Sequence, residues 1–375
     1  MHTPLLGGRQ CSGKTAAKQR YPLTPTTRVD FPEYGITDAI ATLLSTLGHA
    51  RDPRGYSLPT DAALNADRLA SGYISALSQY RLLVIDGPDT GKFLQGQTTC
   101  DFNEIDGSRA RYGALCNLKG RMLASFRAAK LDDGRYALRM RHGLEASVRE
   151  VLAKYMVFSK AKFTDQGNDW IVLGAGGAAA SDALRAHFGA LPETADAALA
   201  VDGGWLLGCG EQRYECWLQA EPALALWRAV VGALDPQPSN LWTLANIRDG
   251  LGEVCEQTRE VFMPQELNLQ LTGGVNFKKG CYTGQEVVAR LQYRGKLKHH
   301  MYRLRFEGQA PAPVTPLQAG GSDRRVGQIV CAVATGARGG ETLALVNDEA
   351  LEQLPLAAGS DCALIEVLPL PYAIN

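Results

Sequence analysis

Lys278-Lys279-Gly280-Cys281-Tyr282-Thr283-Gly284-Gln285-Glu286 puts two cations, one thiol, one carboxylate, one phenol and two glycines into nine residues. Charged groups are rarely buried unless paired, so this is poor core material. Gly280 and Gly284 admit backbone angles that other residues avoid, and the segment reads as a tight loop. Val287, Val288, Ala289 and Leu291 follow and read as the start of a packed element. Reactive groups on a loop that runs into a rigid element are a common setting for a site. Cys281 is the strong nucleophile candidate. Lys278 and Lys279 favour its thiolate, and Glu286 opposes it if it faces the sulfur. The plain alternative is an inert thiol in a surface turn. His299 and His300 lie downstream, but no third group is evident to orient a Cys–His pair.

Outward from the loop, the pattern mixes helices and strands. A helical spacing runs from Ala62 to Leu77. Arg81–Gly87 reads as a buried strand ending in a turn, with Asp89 as cap of a helix carrying Phe93 and Leu94. Cys116–Arg121 reads as a hairpin turn with Gly120 at the bend. Arg135–Met140 reads as a strand and Leu144–Met156 as a helix. Trp170–Ala179 is formally a strand, Gly-x-Gly-x-x-Ala and a helix, the outline of a dinucleotide fingerprint. No clear acid ends a second parallel strand about 20 residues on, so we read the small residues as close helix-to-sheet packing. After Arg294, short strands separated by Gly, Pro and Asp suit a small all-β domain.

From Phe277 to Arg290 the chain resembles the YgfZ-type family of folate-binding proteins, relatives of the glycine-cleavage T-protein tied to iron–sulfur enzyme maintenance. The family signature Lys-Gly-Cys-Tyr-x-Gly-Gln-Glu stands intact from Lys279 to Glu286. Further matches are Phe93–Thr99, Lys154–Lys160, Trp242–Ile247, Leu368–Tyr372, and Pro264, Gln265, Asn268 and Leu269. The resemblance implies an α+β, T-protein-like multidomain fold with a central folate channel and a small C-terminal β-barrel. It implies five parts: a flexible tail (1–29), an α+β domain (30–168) and a second, ferredoxin-like α+β domain (169–240). A return segment with the signature loop (241–295) and the barrel (296–375) complete them.

The same resemblance implies a site. Trp242 and Tyr80 stand where the family places aromatic walls for a pteridine ring, whose flat face gains from stacking. Core packing is the alternative for both. Glu211, within Gly210–Glu215, stands where a carboxylate meets the pterin edge and accepts paired N–H bonds; an exposed turn acid is the alternative. Lys279, Cys281, Tyr282, Gln285 and Glu286 form the functional loop at the channel mouth. The implied cofactor is tetrahydrofolate or a one-carbon derivative. The implied partners are iron–sulfur enzymes or assembly proteins, including enzymes that modify tRNA. Lys278, Lys279, Arg290, Arg294, Lys296 and Lys298 face Glu286 alone, with Tyr282 and Tyr293 interleaved. That basic segment (278–300) suits tRNA, a folate polyglutamate tail or an acidic protein. One departure stands out. T-proteins carry an aspartate pair after the Asn-x-x-Gly turn, where this chain has Ala124 and Ser125. Neither holds charge or steers a proton, so aminomethyl transfer is not expected, although a one-carbon transferase with a nonstandard acid stays open.

Composition narrows the classes. At 375 residues, 45% hydrophobic and 21% charged, the chain has the make-up of a soluble protein of two or three domains. A formal net charge of zero argues against a life wholly on phosphates. Nine scattered cysteines with no Cys-x-x-Cys pair suit neither a zinc ribbon nor a disulfide framework. A reducing cytoplasm is the natural setting, and no apolar run approaches the roughly 20 residues of a membrane span. Residues 1–29 carry Arg9, Lys14, Lys18, Arg20 and Arg28 without an acid. They read as a flexible tail rather than a transit peptide, because Pro4, Pro22 and Pro25 interrupt any amphipathic pattern.

Overall fold

The computed structural model describes residues 45, 50–52, 55–57, 64–164, 170–319 and 324–374, so the expected tail, 1–29, lies outside it. A hairpin of β1 (Ala50–Asp52) and β2 (Gly55–Ser57) precedes a short helix, α1 (Arg68–Ser71), and strand β3 (Tyr73–Ala76). The expected helix over 62–77 is therefore corrected. Gly72, at φ 149°, ends α1, and Tyr73–Ala76 are buried on both faces. A short apolar run after a glycine breaker packs as a fully buried strand.

Strands β4 (Tyr80–Asp86), β5 (Arg111–Cys116), β6 (Met122–Asp132), β7 (Arg135–Arg141) and β8 (Lys162–Thr164) form an antiparallel sheet in the order β5-β6-β7-β4-β8. Between β5 and β6, Gly120 takes φ 72° and Asn117 Oδ1 accepts from the Lys119 and Arg121 N–H groups, making the expected turn. Helix α2 (Thr90–Gln95) follows Asp89, but the Asp89 carboxylate makes no cap. It accepts instead from the Lys160 N–H, 2.9 Å away. Helix α3 (Glu145–Met156) buries Val148, Leu152 and Met156, one stripe at four-residue spacing.

Next come β9 (Trp170–Gly176), α4 (Ala178–Phe188), β10 (Ala198–Val201), β11 (Gly204–Gly210), β12 (Arg213–Gln219), α5 (Ala220–Val230) and β13 (Asp235–Pro236). Their sheet runs β10-β11-β12-β9-β3-β13, with β3 contributed from earlier in the chain. β9 is antiparallel to both neighbours, which is not the parallel setting of a dinucleotide fold. Its glycines make room for rings. A Cβ on Gly174 would fall 2.5 Å from the Trp242 ring, and one on Gly176 would fall 2.7 Å from that of Tyr73.

Helix α6 (Ser239–Arg248) carries Trp242 against this sheet. After a long return segment, α7 (Gln285–Arg294) leads into six strands: β14 (His299–Gly308), β15 (Pro316–Ala319), β16 (Arg325–Gly336), β17 (Gly339–Asn347), β18 (Leu356–Ala358) and β19 (Cys362–Leu368). They close as a barrel in the order β14-β17-β16-β15-β18-β19, which leaves no open edge. Glu341 accepts from Arg248 of α6 and from Arg303 of β14, tying α6 to the barrel. Among the described residues no helix is long and apolar enough to cross a membrane.

Candidate functional site

A row of side chains crosses the first sheet. Tyr112 on β5 pairs with Arg127 on β6, and Arg127 pairs with Arg139 on β7. Opposed cross-strand partners share a face, so one phenol and two guanidiniums point the same way. From the second sheet, Arg213 and Glu215 reach the same space, two residues apart on β12 and hence on one face. Trp242 and Asn246 of α6, with Cys209, Leu251 and Glu253, complete the lining of a polar slot whose cavity volume is about 10 Å³, room for about one water. The slot is narrow, because Arg139 lies across it. Arg139 donates Nη2 to Glu215 Oε1 at 2.9 Å, Nε to Glu215 Oε2 at 3.2 Å and Nη1 to Glu253 Oε1 at 2.7 Å.

These charges are buried and paired. Burial alone would raise the Glu215 carboxyl. Arg139, Arg127, the Trp217 N–H and Arg213 outweigh it and hold the group below its usual range. Tyr80 donates its hydroxyl to Glu253 at 2.6 Å and accepts from Asn246, while Arg139 covers its ring at 3.9 Å. Burial, reinforced by Glu253, pushes the Tyr80 phenol well above its usual pKa. Arg213 lies over the Trp242 ring at 4.2 Å and donates to Asn246 Oδ1 and to Asp249. Arg127 donates to Asp196 at 2.8 Å. Four lining donors are buried without a partner: Trp242 Nε1, Arg127 Nε, Arg213 Nε and Tyr112 Oη. These groups are free to donate to a water or a ligand in the slot.

The structure thus brings Trp242 and Tyr80 together in one network. It does not bring Glu211 there: that residue is exposed on the β11–β12 turn, beside Gln212 at φ 52°. The buried carboxylate is Glu215, four residues on. Arg127, Arg139 and Glu253 were not picked out from the sequence. The available signal was charge inside apolar strands, Arg127 between Phe126 and Ala128 and Arg139 between Leu138 and Met140.

The signature loop is a second construction. None of Lys279, Cys281, Tyr282, Gln285 or Glu286 lines the cavity. Lys279 is 8% exposed and donates its three ammonium protons to the carbonyls of Gln95, Thr98 and Cys100, each at 2.7 Å. Those carbonyls belong to the Phe93–Thr99 match and the residue beyond it. Burial lowers the Lys279 ammonium to about 8. With its protons committed, Lys279 is a clamp rather than the activator of a thiolate. Thr283 donates its N–H to Gly96 O and its hydroxyl to Gln97, and Gln285 Oε1 accepts from the Tyr282 N–H. Gly284 sits at φ 83°, where a Cβ would fall 2.4 Å from Asn117 O, so the loop is pressed onto the β5–β6 turn. Cys281 is held exposed between these anchors, and a Cβ on neighbouring Gly280 would meet nothing within 4 Å. Glu286 is exposed in the first turn of α7. His300 bonds Asp348 at 2.8 Å on the barrel. At the T-protein aspartate positions, Ala124 is core and Ser125 Oγ accepts from the Val254 N–H at 2.8 Å.

Two α+β sheets around a polar cavity, followed by a closed barrel, define the class of fold shared with the glycine-cleavage T-protein. The glycine-cleavage aminomethyltransferase T of Bartonella henselae superposes with a TM-score of 0.62 over 88% of this chain and 96% of its own, at 14% identity. The GCVT N-terminal domain family matches residues 66–200. The tRNA-modifying protein YgfZ of Cronobacter sakazakii is 32% identical over 310 residues, covering 80% of this chain and 93% of that protein. That of Pectobacterium carotovorum is 33% identical over 320 residues, covering 83% and 95%. The chain belongs to the YgfZ family.

Proposed function

We propose that this protein binds tetrahydrofolate or a one-carbon derivative in the cavity between its sheets. In this reading it acts as an accessory to iron–sulfur enzymes, including those that modify tRNA. The observation that carries the folate reading is the buried Glu215 carboxylate on the wall of a slot that also holds Trp242, beneath Arg213, and four orphaned donors. The residues fit an aminopyrimidine ring: Glu215 would accept its paired N–H groups, Trp242 would stack, and the orphaned N–H groups would donate to ring acceptors. Arg213 and Arg139 set the conditions: Arg213 covers the Trp242 ring and must move aside for a pterin to stack there. Glu215 is already satisfied by Arg139 and by Trp217 Nε1, so a ligand replaces Arg139 there while Arg139 keeps Glu253. The link to tRNA modification rests on the relatives, which are tRNA-modifying proteins, and the iron–sulfur role rests on the resemblance carried by Lys279–Glu286. Aminomethyl transfer is disfavoured because Ser125 holds a backbone N–H where a carboxylate would be needed.

Calorimetric titration with tetrahydrofolate tests the reading. Glu215→Gln and Trp242→Ala each weaken binding at least tenfold, while Glu211→Gln leaves it unchanged. Equal loss in Glu211→Gln and Glu215→Gln, or no binding to the intact protein, would sink it.

A further inference from the structure

The loop that carries Cys281 is one part of a larger surface assembled from two distant segments. Gly284 presses on Asn117, and a Cβ on Gly120 would meet Val287 at 3.1 Å, so the β5–β6 turn lies against the start of α7. That turn presents Leu118, 76% exposed, with exposed Lys119 beside it. At the other end, Phe277 meets Tyr293 edge-on at 6.0 Å, which brings the entry of the loop back to the end of the helix. Arg290, Tyr293 and Arg294 are exposed on α7, and Lys278, Lys296 and Lys298 are exposed around it. Against these six cations stand the exposed acids Glu286 and Glu260, and Glu260 already accepts from Asn117.

We infer that this composite surface docks an acidic segment of a partner protein, with Leu118 as its apolar anchor and Cys281 inside the contact. The inference deepens the accessory reading by naming the chemistry of the partner. The surplus of cations asks for an acidic face. Leu118 decides between kinds of polyanion. Exposed Tyr293 suits either kind of polyanion, but an exposed aliphatic side chain among cations gives a base nothing to stack on and suits a protein interface. The whole chain carries no net charge, unlike a dedicated nucleic-acid binder. The segment is also preorganised. Lys279, Thr283 and Gly284 already fix the loop, so little ordering is left to be done on docking.

The test places the photo-crosslinking residue p-benzoylphenylalanine at position 118 of the full chain in cells, and identifies adducts by mass spectrometry. The expected result is an adduct with an acid-rich segment of a defined protein. That protein, purified, then binds the wild type in a salt-dependent manner. Leu118→Ala and the pair Arg290→Glu, Arg294→Glu each weaken it at least tenfold. Capture alone does not count without this reconstitution. Three outcomes overturn the proposal: no adduct, an adduct outside any acidic segment, or bulk tRNA binding in fluorescence anisotropy that the charge reversals abolish. Tetrahydrofolate titration of the same variants separates the two readings. These residues stand outside the cavity, so folate binding persists if only the docking proposal fails, and its absence from the wild type is a failure of the folate reading alone.

Discussion

The cavity and the signature loop both hold buried charge, but they neutralise it differently. In the cavity, Arg139 meets two carboxylates, Glu215 and Glu253, so charge is balanced by charge across two sheets and the segment after α6. In the loop, Lys279 meets three backbone carbonyls from one short stretch, Gln95 to Cys100. An ion network can exchange one partner for a ligand, because each group has alternatives. A lysine bound to carbonyls has none, and it fixes a shape. The cavity's charges have alternative partners, and the loop's shape is fixed.

Removing the centre of the network should have the largest effect. Arg139→Ala removes the cation that two buried carboxylates share and should cost about 3–5 kcal/mol in urea unfolding. A loss below about 1 kcal/mol would mean that the cavity is wetter and less coupled than its geometry implies. The loop should respond less. Gly284→Ala forces a Cβ onto Asn117 O at φ 83°, for about 1–3 kcal/mol. Lys279→Met keeps the bulk but strips three carbonyls of their donor, again for about 1–3 kcal/mol. Both should raise the rate at which Cys281 reacts with a thiol reagent, since both loosen its anchors. An unchanged rate would show that the loop needs neither. Cys281→Ala should be nearly silent, within about 0.5 kcal/mol, because the side chain is exposed. A large loss there would make Cys281 structural.

The subtlest test is titration. Burial lowers Lys279 from 10.5 to about 8, so between those values the unfolded chain holds more protons than the folded one. Its contribution to stability therefore rises with pH from about 8 to about 10.5 and is least favourable below 8. NMR of the protein with isotope-labelled, unmodified lysines should show one side-chain resonance titrating near pH 8. A midpoint at the ordinary value would mean that the three carbonyls outweigh burial.

Much of this was legible before any coordinates. The loop was, because its residues are contiguous and odd in combination, and the barrel was, because its strands are short and punctuated. Trp242 was legible within a local run. The helix expected over 62–77 was not a helix, because Gly72 interrupts it and burial on both faces erases the periodicity that tells helix from strand. Glu211 drew attention as the first acid of a matching stretch. Alternation along β12 turns Glu215 inward and leaves Glu211 on the turn, and that becomes visible only when the strand boundary is known.

By itself the sequence determined what is encoded in neighbouring residues: the signature loop, the family and the missing aspartate pair. Tertiary structure alone decided which charges meet. Arg139, Glu215 and Glu253 are separated by up to 114 positions along the chain and by less than 3 Å in space. A charge inside an apolar strand signals that it must be paired, but its partner is chosen by sheet register and packing, which no local pattern carries.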